Sequence, residues 1–145
     1  MTLKTYKKLR TKSLNDHPKM LAKARNLYNE WVRLYHSNSD GYCKCVTCGK
    51  IMYYKGGDCQ AGHFWHTLDF VSDNQHAQCK RCNTHLHGNL IEYAIFMIKK
   101  YGEQRVQELK LMKNLGHKYS CEELRIMCKA YRQAISKQKK KRGIT

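Results

Sequence analysis

Apolar side chains recur at helical spacing along Leu21, Ala24, Tyr28, Trp31 and Tyr35, with Leu27 and Leu34 beside them. This period predicts an amphipathic helix of about five turns whose aromatic stripe packs inward. Asn15 or Asp16 stands where a cap is needed, with Pro18 in the first turn, and the run Ser37-Asn38-Ser39-Asp40-Gly41 closes the helix. The period then changes. Ile51-Met52-Tyr53-Tyr54 reads as a strand, Gly56-Gly57-Asp58 as a turn, and Ala61 to Trp65 as a second strand. These two predict a hairpin that presents His63, followed by a polar connection from Asp69 to Gln75 anchored by Phe70. Helical spacing returns after Cys79 and runs through Leu90, Tyr93, Ala94, Met97 and Tyr101, with an interruption at Gly88. A third helix carries Val106, Leu109, Met112 and Leu115 and stops at Gly116-His117. A fourth opens on the capping box Ser120-x-x-Glu123 and buries Leu124, Met127, Cys128, Tyr131 and Ile135.

Cysteine spacing changes this picture from four helices and a hairpin to a metal-centred fold. Cys45-x2-Cys48 and Cys79-x2-Cys82 can place four thiolates around one structural Zn2+, which suits the chain better than disulfides or a redox dithiol. Cys43, Cys59, Cys121 and Cys128 are left over. The resulting reading is an α+β fold, a small zinc-stabilised ββα-metal (treble-clef-like) core embedded among amphipathic helices. Its parts are a basic arm and N-terminal helix over 1–41, the zinc-centred core over 42–101, and C-terminal helices with a basic tail over 102–145.

Charge narrows the partner. A formal +17 on 145 residues, with 10% aromatic side chains, describes an ordered protein that seeks a polyanion, with nucleic acid ahead of an anionic membrane. The first twelve residues and the stretch Lys137 to Arg142 are the densest cationic segments, and solvation and phosphate contact account for both equally well. No apolar run reaches membrane-spanning length, which points to the cytoplasm or nucleoid.

Within the zinc loop, some polar groups are not needed by the zinc. His63, near a strand end, can take a proton from water, and Asn83, directly after the last thiolate, can offer an oxygen to a divalent ion beside a phosphate. His87 lies four residues beyond Asn83 and would share its helical face. The competing reading leaves these side chains to pack on the knuckle or to hydrogen-bond the thiolates. Nuclease, non-catalytic zinc-containing DNA-binding module and zinc scaffold for a protein partner therefore all stay open on spacing alone.

Cys45-x2-Cys48, Ala61-Gly62-His63-Phe64, Asn74-x-His76-x-Gln78-Cys79-x2-Cys82-Asn83 and Gly88-Asn89-x3-Tyr93 together resemble the phage NinG (Rap) family of recombination nucleases. More distantly, they resemble the His-Asn-His endonucleases. The resemblance implies metal-dependent, structure-specific cleavage of branched DNA such as Holliday junctions, in the nucleoid of a bacterial host. It implies His63 as general base, Asn74 as the residue that positions His63 or its loop, and Asn83 as a ligand of a catalytic Mg2+ or Mn2+, with His87 a further candidate. His66, His76 and His85 receive no assigned role. Where many His-Asn-His enzymes carry an acidic ligand before the base, this chain has Gly62; Asp58 and Asp69 read as turn or surface residues. Coordinated cutting of a four-way junction further suggests a homodimer, contacting through the exposed part of the Leu21-to-Tyr35 or the Leu124-to-Ile135 helix unless the fold itself consumes those apolar faces.

Overall fold

The computed structural model describes residues 2–144; Met1, Thr145 and the side chains of Tyr6 and of residues 9–15 lie outside that description. Helix α1 spans Leu3–Tyr35, capped at its start by Thr2, whose side chain accepts from the Thr5 backbone N–H at 3.2 Å. The expected cap at Asn15 or Asp16 is therefore not a helix start. The segment expected to be an arm is the first part of the same helix, and Pro18 sits within it. Lacking an N–H, Pro18 breaks one rung of the ladder without ending the helix.

Beyond α1 come β1 (Tyr42–Lys44), β2 (Ile51–Tyr53), β3 (Cys59–His63) and β4 (Gln75–Cys79). The two strands expected from the sequence both exist, but they do not pair with each other. β2 pairs with β1 across the first thiolate pair, and β3 pairs antiparallel with β4, Gly62 opposite His76 and Cys59 opposite Cys79. β4 falls where the sequence suggested the end of a polar connection and a helix start. It is buried on both faces although three of its five residues are Gln75, His76 and Gln78, so no hydrophobic alternation marks it. Cys79 consequently ends a strand, and one π-helical turn, Arg81–His85, carries the chain from β4 towards α2 (Leu90–Tyr101).

α3 (Glu103–Leu115) and α4 (Cys121–Arg142) complete the fold, and the Ser120/Glu123 capping box forms as expected. Leu109 is fully buried on α3, whereas Met112 and Leu115 are exposed, so the inward stripe of that helix is shorter than its spacing suggests. α1 and α4 pack face to face through Ala24, Leu124 and Cys128, with Leu21, Leu27 and Met127 alongside. The residues from Lys137 to Arg142 are helical rather than a tail, and two of them are structural. Lys139 pairs with Glu30 at 2.9 Å, and Arg142 closes the end of α1 through Leu34 O, Ser37 Oγ and Asn38 O.

Two further clusters hold the middle. One joins Leu34 and Ile135 to Met52, Tyr54, Ala77 and Cys43, Cys45, Cys59, Cys79 and Cys82; the other joins Phe64 and Leu68 to Tyr93, Met97 and Leu109. Of the β3–β4 hairpin, all five residues of β4 are buried, whereas Gln60, Ala61 and His63 on β3 stay partly exposed.

Candidate metal centre and active site

Cys45 lies just after β1, Cys48 in the following turn, Cys79 at the end of β4 and Cys82 in the π-helical turn. Their four Sγ atoms lie within 4.8 Å of one another, and Cys48 Sγ is 3.7 Å from Cys79 Sγ. A tetrahedral Zn2+ with Zn–S bonds of about 2.3 Å needs S–S edges of about 3.8 Å, so the donor set fits that ion. Donors surround the sulfurs as thiolates require: the Cys82 N–H donates to Cys79 Sγ at 3.4 Å and Asn89 Nδ2 to Cys82 Sγ at 3.6 Å. Asn89, at φ 47°, also precedes the first residue of α2, so the helix start is tied to the metal centre.

His63 closes β3, one residue beyond Gly62. Gly62 cannot be larger, because a β carbon there would overlap Gln78 Oε1 and come within 3.1 Å of Asn83 Oδ1. Gln78 is held from its other end, where Nε2 donates to Gly88 O at 2.8 Å and to Thr47 Oγ1 at 3.2 Å. The acidic residue of the broader pattern is thus excluded by packing, and two neutral amide oxygens stand in the space. Asn83 Nδ2 donates to Gln60 Oε1 at 2.8 Å, which orients Asn83 Oδ1 the other way, towards Gly62.

The Gly62 carbonyl is fixed by a buried chain of polar groups. Tyr93 Oη donates to Gly62 O at 2.8 Å and lies 2.9 Å from His76 Nδ1, while His76 Nε2 lies 2.7 Å from Tyr101 Oη. Since the Tyr93 proton is used on Gly62, His76 must donate from Nδ1 and accept at Nε2. Burial, with the neighbouring His36 and Lys100 charges, pushes the His76 pKa down to about 3, so its ring is neutral near pH 7. His76 is therefore a strut of the site. Tyr93, part of the quoted motif, does its work through Gly62.

Asn74 is fully buried and does not reach the His63 ring. Its Oδ1 accepts from Trp65 N at 2.8 Å, and its Nδ2 donates to Trp65 O and Leu68 O at 2.9 and 2.8 Å. Of the two positions expected for it, it takes the second, stapling the loop that leaves His63. Phe70 anchors the same loop as expected, in edge contact with Tyr28 and Tyr119 and at a φ of 61°, which a non-glycine residue adopts only when its surroundings hold it there.

His63, His66, Asn83, Thr84 and His87 line one cavity of about 800 Å³, walled by Phe64, Trp65, Leu90 and Ala94 and rimmed by Lys113. The expectation that His87 shares a helical face with Asn83 is corrected: His87 has φ 49° and lies beyond the turn that holds Asn83. The cavity brings them together instead. His85 does not line it. Asp58 pairs with Lys50 at 2.6 Å and accepts from Lys80 N, a turn residue as expected. Asp69, also expected to be a surface or turn residue, instead meets the His63 ring from outside this cavity, with Oδ1 3.2 Å from His63 Nε2. Lys113, on α3 and outside every motif, was missed by sequence reasoning. Its Nζ lies 5.3 Å from the centre of the Trp65 ring.

Four cysteines able to hold one metal ion, beside a cavity lined by histidines and an asparagine, define an α+β protein with a candidate metal centre. A family profile described as Bacteriophage Lambda NinG protein matches residues 2–141, and the chain belongs to that family. It is 29% identical over 133 residues to protein ninG of Escherichia phage 933W, 28% to that of Escherichia phage lambda and 27% to that of Salmonella phage P22. Each alignment covers 88% of this chain, but the chain spans only 61–62% of those relatives' lengths. No solved structure gives a significant match. Among the described residues, no helix is long and apolar enough to cross a membrane.

Proposed function

We propose that this chain is a divalent-metal-dependent, structure-specific endonuclease that hydrolyses phosphodiester bonds in branched recombination DNA such as Holliday junctions. The observation that carries this reading is the joint placement of His63 and Asn83 on one cavity beside the four-cysteine centre. Its frame is read as a ββα-metal core, β3 and β4 leading into the turn and helix that follow Cys82. His63 takes a proton from the attacking water, and Asn74 keeps its loop in place. Asn83 Oδ1 is a hard donor suited to Mg2+ or Mn2+, with His87 on the same wall. No carboxylate lines the cavity among the described residues, so Asn83 and His87 are the side chains there that would hold the ion. Such an ion, when bound, polarises the phosphoryl oxygen and stabilises the leaving 3′ oxygen. Lys113 and Trp65 at the mouth supply a cation and a stacking surface for a DNA strand.

The homodimer belongs to this proposal, with its contact relocated. The faces of α1 and α4 first considered for it pack on each other, whereas Ile91, Ile95 and Ile98 form an exposed apolar row on α2. Action in the nucleoid of a bacterial host follows from the substrate.

The test is cleavage of linear, forked and four-way DNA by zinc-loaded protein with and without Mg2+ or Mn2+. Metal-dependent cutting preferring the branched substrates is expected, and lost in His63→Ala. Junction binding without turnover under any divalent ion would leave a DNA-binding module in place of the enzyme.

A further inference from the structure

His63 and Asp69 flank a loop that turns back on itself, so that His63 Nε2 comes within 3.2 Å of Asp69 Oδ1. Both side chains are largely withdrawn from solvent, 19% and 16% exposed. The other carboxylate oxygen, Oδ2, accepts from Arg25 on α1, at 3.0 Å from Nε and 2.6 Å from Nη2. One carboxylate is thereby held between a strand-end histidine and a helix far away in sequence. Burial alone would push the Asp69 pKa up, but the hydrogen bonds from His63 and Arg25 outweigh it and hold the carboxyl below its usual range. An ionised carboxylate only accepts.

The acceptor at Nε2 determines which imidazole nitrogen carries the proton. With Nε2–H committed to Asp69, the lone pair of the neutral ring lies on Nδ1. Resting on the reading of His63 as base, we propose that Asp69, braced by Arg25, is a positioning residue that holds His63 in the Nε2–H tautomer and presents Nδ1 to the attacking water. As Nδ1 takes the water proton, the electron pair of that O–H bond stays on oxygen and forms the new bond to phosphorus. The bond from phosphorus to the 3′ oxygen breaks with its pair on that oxygen, which takes a proton from solvent. The imidazolium lies against the Asp69 carboxylate until it returns its proton to water. Both carboxylate oxygens face donors, so the arrangement suits this role and not ligation of a cation.

The experiment has one arm independent of turnover. Long-range 1H–15N spectra of the zinc-loaded full chain, at a pH where the rings are neutral, are expected to show His63 protonated at Nε2 and bare at Nδ1. The opposite tautomer overturns the positioning role, and this spectrum needs no variant. In the kinetic arm, Asp69→Asn should slow single-turnover cleavage, by no more than the roughly 10²–10⁴-fold a general base supplies. Junction Kd and the half-saturating Mg2+ concentration should stay at the parent values. In a His63→Ala background the same change should cost nothing more, because its effect passes through His63. An equal loss in both backgrounds, or a raised Mg2+ requirement, overturns the proposal. Parental cleavage by His63→Ala overturns the reading of His63 as base, and with it the role of the pair in catalysis; no turnover by the parent under any divalent ion overturns the nuclease reading, whereas a wrong tautomer sinks the positioning role alone.

Discussion

Gln78 Oε1 occupies the space a β carbon on Gly62 would need. Gly62→Ala should therefore destabilise the zinc-loaded protein by roughly 1–3 kcal/mol, the usual cost of overpacking a filled site. Gln78→Ala removes the obstacle, along with two hydrogen bonds. The double variant should be more stable than the sum of the single losses implies, a coupling readable from urea unfolding midpoints. Strict additivity would mean that Gln78 is not what keeps position 62 small.

Removing a thiolate tests the metal centre. Cys79→Ser should abolish stoichiometric zinc binding and, because β4 and the start of α2 both hang on the thiolates, lower helical content as well. Elemental analysis and far-UV circular dichroism read the two effects. Full structure without zinc would remove the structural role assigned to the four cysteines.

Asn83→Ala isolates the oxygen donor. The variant should keep its zinc and its junction affinity but require more Mg2+ or Mn2+ for half-maximal cleavage, since Asn83 Oδ1 is the donor assigned to that ion. A metal titration curve superimposable on the parent's would place the ion elsewhere in the cavity.

Acid should unfold the protein partly through the buried His76 and the half-buried His36. Burial, the first cause in each case, pushes the His36 pKa down to about 4 and that of His76 to about 3. Between the unfolded value near 6.5 and these folded values the unfolded chain binds more protons. Stability is therefore complete above about pH 6.5 and falls with decreasing pH through that window, by about 1.4 kcal/mol per unit for each histidine. His76→Gln should show a shallower decline than the parent when unfolding midpoints are compared from pH 7 to 4. Parallel declines would mean that His76 is not neutral in the folded state.

Lys113→Ala tests the mouth of the cavity. Losing one phosphate contact should weaken binding of all DNA forms and reduce the slope of log affinity against log salt by about 1. An unchanged slope, measured by competition at several salt concentrations, would take Lys113 off the DNA path.

Much of this protein was written in local pattern. The two Cys-x2-Cys pairs, the Ser120/Glu123 cap and the stripes on α1, α2 and α4 follow from spacing, because ligand geometry and helical period act over a few residues. His63 at a strand end and Asn83 just past the last cysteine were legible for the same reason. What only the tertiary structure decided concerns pairs far apart in the chain. β4 is a fully buried strand although it is rich in glutamine and histidine, since Tyr93, Tyr101, Gly88 and Thr47 meet its polar groups from other elements. No local period records that. The partner of the His63 ring is set by the turn at Trp65–Leu68, closed by Leu68 N–H on Trp65 O, and by Arg25 arriving from α1, which only packing of the helix against the loop brings into reach. A side chain's chemistry is local, but the proton it holds depends on what the fold places opposite it.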